Sequence, residues 1–238
     1  MKNHISLFIF AIALLSGPVS ANDLSMTAVK DTLASIPGEH NYIYVRTPLG
    51  EDEEKNYDEI TFYDGLGREL DFAQSYGADR AGAIMAHHHL IEYDSLGRKE
   101  KQWLSTNTSF SYMSPEDLKG GVLWDYHDAG KRSYLQTNYE SSPLNRITEQ
   151  YGVGDAWGDH PARMEYLTNI PADSLRCSFY FIDDNDSLIR RGDYRSGELQ
   201  VTKATDEDGK PTYTFVDKQG RTLLTRLGRG NQQADTYF

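Results

Sequence analysis

Two blocks in this chain are near copies of one another, Tyr63-Asp64-Gly65-Leu66-Gly67-Arg68 and Tyr93-Asp94-Ser95-Leu96-Gly97-Arg98. An internal repeat constrains architecture more than any other sequence feature, because each copy must be one structural unit stacked on the next. Two worn copies follow, Asp206-Glu207-Asp208-Gly209-Lys210 and Asp217-Lys218-Gln219-Gly220-Arg221. The physics of Asp-x-x-Gly-Arg/Lys is that of a turn. The Asp side chain accepts from nearby backbone N–H groups, and the Gly three places on adopts the positive φ that closes a type I turn with a bulge. Residues flanking the blocks alternate with period two, as in Glu69-Leu70-Asp71-Phe72 and Thr222-Leu223-Leu224-Thr225. The repeat therefore predicts successive hairpins in one antiparallel sheet. Asp64, Gly67, Arg68, Asp94, Gly97, Arg98, Asp206, Gly209, Asp217, Gly220 and Arg221 are its structural residues.

Composition agrees with an all-β chain carrying minor α. The 238 residues include 16 Tyr and 9 Phe, which suit a pleated, half-buried surface. Tyr42–Val45, Ile60–Tyr63, Leu90–Tyr93, Ala162–Leu167 and Cys177–Ile182 read as strands. A short helix fits Asp23–Pro37. Ser114-Pro115-Glu116-Asp117 reads as a helix N-cap with Pro at the first position, and Gly120-Gly121 is expected to stop that helix. Tyr139–Gly158, rich in Pro, Gly and Asn, is expected to be extended with turns. The acidic stretch Glu51–Glu59 reads as a solvated loop. It lacks the Gly-centred spacing of an EF-hand.

The N-terminus is read separately. A basic start is followed by the apolar run Ile5–Leu15, then Ser16-Gly17-Pro18, then Val19-Ser20-Ala21. This is the pattern of a secretory signal peptide cut after Ala21. The apolar run is too short to span a bilayer, which takes about 20 residues. The expected organisation is a signal peptide over 1–21, a lead segment over 22–40 and one domain over 41–238. The mature chain is expected in the periplasm, at the cell surface or in the medium, with no membrane span. Its single cysteine, Cys177, excludes an intramolecular disulfide and a Cys-based structural zinc site.

Several function classes fall away. A formal net charge of −12 without any Lys/Arg cluster argues against nucleic acid as a partner. G-x-S-x-G, H-E-x-x-H and a phosphate-cradling glycine loop are all missing from the sequence. His87 and His89 would share one face of a strand and so suggest a metal pair, the basis of a metal-dependent hydrolase reading. That reading ranks last, and no catalytic residue, cofactor or metal is expected. Trp103 and Trp157, with Trp124, are candidate ligand-stacking residues for a stand-alone carbohydrate-binding module.

The ordered motifs resemble a known family. Asn41–Thr47, the two Tyr-Asp-x-x-Gly-Arg blocks, Tyr139-Glu140-Ser141-Ser142-Pro143-Leu144-Asn145-Arg146 and Tyr151–Trp157 occur in the order found in the domain that opens many exported RHS-repeat (YD-repeat) proteins of Gram-negative bacteria. Ser142, Pro143, Leu144, Asn145 and Arg146 form the most specific block. The resemblance implies an arc of β-shell, in which YD hairpins form a strip of sheet that spirals into a container, often around a C-terminal toxin. This chain carries neither the family core nor a cargo. The expectation is a structural or binding domain without enzyme activity, truncated or working beside other YD-repeat segments or a second polypeptide through an exposed sheet edge. Glycans are the alternative ligand.

Overall fold

The computed structural model describes residues 26–34, 36–38, 40–48, 56–78, 83–229 and 232–238. The expected signal segment with its cleavage point after Ala21 lies outside them, as do residues 51–55 of the acidic stretch. The described chain is mostly β. In order come helix α1 (Met26–Ala34), strands β1 (Asn41–Pro48), β2 (Asn56–Tyr63), β3 (Glu69–Ala78), β4 (Ile84–Tyr93), β5 (Lys99–Trp103) and β6 (Thr106–Ser109), and helix α2 (Pro115–Asp125). Strands β7 (Tyr134–Tyr139), β8 (Ile147–Tyr151), β9 (Ala162–Thr168), β10 (Ser178–Ile182), β11 (Leu188–Asp193), β12 (Gln200–Thr205), β13 (Pro211–Val216), β14 (Thr222–Arg229) and β15 (Gln232–Tyr237) follow. Thirteen strands join in an antiparallel sheet of order β1-β2-β3-β4-β5-β7-β8-β9-β12-β13-β14-β15, with β6 on β4, while β10 and β11 pair only with each other. The all-β expectation holds.

The chain divides into two compact units. The first takes residues up to Arg68, Phe72–His88 and Asn107–Tyr112, and the second takes Glu69–Asp71, His89–Thr106 and Met113–Phe238. In the first unit, period two places Asp58, Ile60 and Phe62 of β2 on one buried face. Ile60, Phe62, Ala73, Ile84, Ala86 and Phe110 form its core, and α1 adds Val29 with Leu33 packed beside it. The buried Asp58 carboxylate is answered by Arg46, whose Nε and Nη2 donate at 2.7 and 2.9 Å, and by the Tyr44 hydroxyl at 2.6 Å. Burying that charge without partners would cost several kcal/mol, so β1 is held to β2 by ion pairing as well as by its ladder.

In the second unit, directly opposed residues build the core row. Val201 faces Leu167 and Phe215, and Phe215 faces Leu224. The excursion between β9 and β12 folds over this row and contributes Cys177 and Leu199. Asn169 fixes the excursion, donating to Arg195 O at 2.9 Å and accepting the Leu199 N–H at 2.8 Å. Arg226 fixes it from the sheet side. Its Nη1 donates to Ser174 O and Arg176 O, both at 2.8 Å, while Asp235 takes its Nε and Nη2 at 2.7 Å each.

Two expectations are corrected. Residues 56–59 of the acidic stretch, expected to be a solvated loop, begin β2, and Asp58 is buried there because Arg46 and Tyr44 answer its charge. Helix α2 runs through Gly120 and Gly121 to Asp125 instead of stopping there. Ser114 caps it, accepting the Asp117 N–H at 3.1 Å, and Leu118 and Val122 are buried, so capping and burial outweigh the helix-breaking tendency of two glycines. Gly121 has a packing reason, because a Cβ there would lie 2.6 Å from Thr106 Oγ1. The Tyr139–Gly158 segment is also more ordered than expected, since it holds β8 and a 3-10 turn over Asp155–Trp157.

Candidate functional site

All four Asp-x-x-Gly copies form the same turn. In each, the Asp N–H donates to the carbonyl of the closing Arg or Lys at 2.9–3.1 Å, and the Gly N–H donates to the Asp carbonyl at 2.9–3.0 Å. Gly67, Gly97, Gly209 and Gly220 have φ of 77°, 81°, 78° and 79°, the region where a side chain is strained. One Asp oxygen accepts two backbone N–H groups, as Asp94 does from Leu96 and Arg98 at 2.9 Å each. The other oxygen accepts the arginine side chain, Arg68 Nε on Asp64 at 2.8 Å, Arg98 on Asp94 at 2.7 Å and Arg221 on Asp217 at 2.7 Å. The Arg68 N–H, ahead of opposing burial and the guanidinium, keeps Asp64 below the usual carboxylate range. At Asp94 burial pushes upward, and the Arg98 N–H and guanidinium overcome it.

Two further turns of this kind escaped the sequence reading. Asp183-Asp184-Asn185-Asp186-Ser187 has the same bonds, with Asp183 Oδ1 accepting from Asn185 and Ser187 at 2.9 and 2.8 Å and Asp186 at φ 59° in the glycine place. The second is the Ser142–Arg146 block. Ser142 Oγ replaces the aspartate and accepts the Leu144 N–H at 3.2 Å, and Asn145 takes the glycine place at φ 54°. Glu140 replaces the aspartate's second oxygen, taking Arg146 Nε and Nη2 at 2.7 Å each. With the Arg146 guanidinium and then the Ser142 hydroxyl on it, Glu140 is held down at about 2. Pro143 occupies the first turn corner, where its fixed φ fits. Asn and Asp tolerate positive φ, so Asp/Ser-x-x-Asn/Asp was the signal available in sequence.

The face of the sheet that bears the apolar core row also carries, in the second unit, a row of charged and aromatic side chains, with Tyr213 and Arg226 buried. Glu92 faces Lys101, Lys101 faces Gln136, Gln136 faces Tyr151, Asn138 faces Glu149 and Glu149 faces Arg163. Glu165 then faces Lys203, Lys203 faces Tyr213, Tyr213 faces Arg226 and Arg226 faces Asp235. Opposed residues share a face, so the row is a cross-strand ladder. Arg132 lies between the Tyr134 and Tyr151 rings at 5.2 Å from each centroid, a double cation–π contact. A shallow cleft of about 370 Å³ beside the Asp94–Arg98 turn is lined by Asp94, Arg98, Glu100, Thr137, Asn138, Tyr139, Thr148 and Glu149.

The tryptophans separate. Trp103 is half-buried in the ladder, donating Nε1–H to Glu92 Oε2 at 3.0 Å beside the Tyr134 ring. Trp157 is 47 % exposed and lies over Gly152, and Trp124 is 83 % exposed at the end of α2. His88 points into the buried face with Nε2 2.9 Å from Ser109 O, while His87 alternates to the other face against Tyr76. Among the described residues no cluster of three His, Cys, Asp or Glu side chains has the arrangement of a metal site. Burial pushes the Cys177 thiol up to about 11, away from the thiolate form that reacts.

A sheet of repeated Asx-capped hairpins, tied by arginine–carboxylate and arginine–tyrosine contacts, defines an all-β hairpin-repeat protein. The family whose model matches residues 41–168 is described as Domain of unknown function (DUF6443), and the chain belongs to it. No significant match was found among curated proteins or solved structures.

Proposed function

We propose that this chain is an exported structural domain of the RHS/YD-repeat type, a segment of β-shell whose sheet is continued by further YD-repeat polypeptide at the β15 edge. The recurrence of one turn, six times across successive hairpins, carries the reading, since such a design grows by adding hairpins. The β15 edge supports it. Gln233, Ala234, Asp235, Thr236 and Tyr237 are all exposed. The Phe238 N–H bonds to Leu223 O directly opposite, and alternation then turns the N–H and C=O groups of Gln233, Asp235 and Tyr237 toward the free edge. β15 has neither lysine nor proline, the usual guards against pairing.

The test is sedimentation of the purified chain alone and with a synthetic hairpin peptide covering residues 84–103. Association, with slowed amide exchange at Gln233 and Tyr237, is expected. It should be lost in Gln233→Pro, which removes only an outward N–H. Free exchange and no association in either arrangement would overturn the edge reading. Export is tested by N-terminal sequencing of the secreted form, which should begin at Asn22. A second reading, glycan binding, is favoured by the exposure of Trp157. It predicts saturable binding on a glycan array that Trp157→Ala abolishes.

A further inference from the structure

Three tyrosines of the second unit repeat one geometry. Tyr93 donates its hydroxyl to Glu69 O at 2.7 Å, Tyr139 to Lys99 O at 3.0 Å and Tyr166 to Ile147 O at 3.0 Å. Each accepting residue directly follows the closing arginine of a turn, Arg68, Arg98 or Arg146. Arg98 lies 4.7 Å from the centre of the Tyr139 ring, and Arg146 lies 4.5 Å from that of Tyr166. The register accounts for both. Continued by a few residues, the β5–β7 pairing sets Tyr139 opposite Arg98, and the β8–β9 pairing sets Tyr166 opposite Arg146. The turn's own carboxylate holds the guanidinium flat as a platform, and the next carbonyl is the acceptor. A tyrosine on the neighbouring strand, at its end in β4 and β7, satisfies both. Phenylalanine lacks the hydroxyl, and lysine in place of the arginine lacks the flat face.

The two remaining turns of the thirteen-stranded sheet divide on this rule. The Asp206–Lys210 turn has lost both halves, since it closes with lysine and the β13–β14 register sets Arg229 opposite. The Asp217–Arg221 turn keeps its half. Arg221 Nε is held by Asp217 at 2.7 Å and Nη2 by Gln219 at 3.3 Å. In the β14–β15 register Tyr237 faces Leu224, so the place opposite Arg221 falls two positions past Phe238. The Arg221 side chain is 71 % exposed, against 15 % for Arg98 and 40 % for Arg146. Tyr194 feels the charge of Arg221, but its ring stands edge-on to Phe179 at 5.2 Å.

We infer that the Asp217–Arg221 turn is a docking socket for a tyrosine at the end of an extended segment running in line with β15. The guanidinium face takes the ring and the Thr222 carbonyl takes the hydroxyl. The inference rests on the reading of this sheet as one continued by further polypeptide, and it names the residue by which the continuation is recognised.

The test appends Ser-Tyr, Ser-Phe or Ser-Ala after Phe238 in the full chain, each with Arg221 present and with Arg221→Ala. Ser-Tyr should raise Tm by about 3 °C over Ser-Ala, as one stacked and hydrogen-bonded ring would in a chain of this size. Ser-Phe should recover part of the rise, and Arg221→Ala should remove the difference. The Arg221 Nε–H resonance should move upfield, through the ring current, only with the aromatic tails. Equal melting of the Tyr and Ala tails, or a gain that survives Arg221→Ala, would overturn the socket. Neither result touches association at the β15 edge, which Gln233→Pro reads separately. A tyrosine gain without edge association would keep the socket and sink the edge.

Discussion

Gly67→Val isolates the backbone contribution of the turn from every packing effect. A Cβ built on Gly67 meets nothing within 4 Å, so no clash can account for a loss of stability. What remains is φ of 77°. A non-glycine residue held in that region costs on the order of 1–3 kcal/mol, with β-branched valine at the upper end because positive φ is a true outlier for it. For a chain of this length each kcal/mol is about 2–4 °C in Tm, so Val should lower Tm by roughly 5–10 °C. The control is internal to the protein. Asn145 and Asp186 hold the equivalent place at φ 54° and 59°, so Gly67→Asn should stay near the parent. Thermal melting followed by tyrosine fluorescence, with urea midpoints as a second measure, reads both variants. A Val variant that melts with the parent, or an Asn variant that falls as far as Val, would refute the turn's dependence on positive φ.

The neighbouring glycines of α2 should respond in opposite senses. Gly120→Ala meets open space and should stabilise by about 0.5–1 kcal/mol, whereas Gly121→Ala must displace Thr106 and should destabilise, both read from urea midpoints. Arg226→Ala leaves Asp235 and two carbonyls without their donor and should cost about 3 kcal/mol in the same assay. Stability should fall with acid in a defined window. Glu140, Asp64 and Asp94 are depressed in the folded chain, so their contribution is whole above the unfolded carboxylate values near 4 and is lost as pH falls toward about 2. Glu140→Gln should flatten that fall, and urea midpoints that keep the parent's pH profile would count against the Glu140–Arg146 pair.

How much of this was legible follows from which interactions are local. The Asp64 and Asp94 turns spell out within five residues every hydrogen bond that closes the turn, so their shape is readable locally. The Ser142–Arg146 turn splits the aspartate's work between Ser142 and Glu140, and the Asp183 turn uses Asp186 for glycine, so spelling misled although the physics was unchanged. α2 failed differently. Gly120-Gly121 reads as a stop, and only the approach of Thr106, distant in sequence, shows why a glycine sits inside the helix. The Tyr93, Tyr139 and Tyr166 contacts join strands 19 to 40 residues apart, and no local pattern encodes them.

These long-range contacts also help to explain how the sheet stays in register without disulfides. A one-residue slip would reverse every side chain, and because the core face carries the Glu92–Asp235 row beside its apolar row, hydrophobic burial is only part of what opposes that slip. The exposed charge pairs do not oppose it strongly, because such pairs contribute little each. The arginine–tyrosine stitch does, because it combines a ring face, a guanidinium plane and a specific carbonyl, and a slip of one residue breaks all three together. Register is thus set at the hairpin ends. The strand interiors are left free to vary, which is the economy a repeat needs if each hairpin is to define the seat of the next.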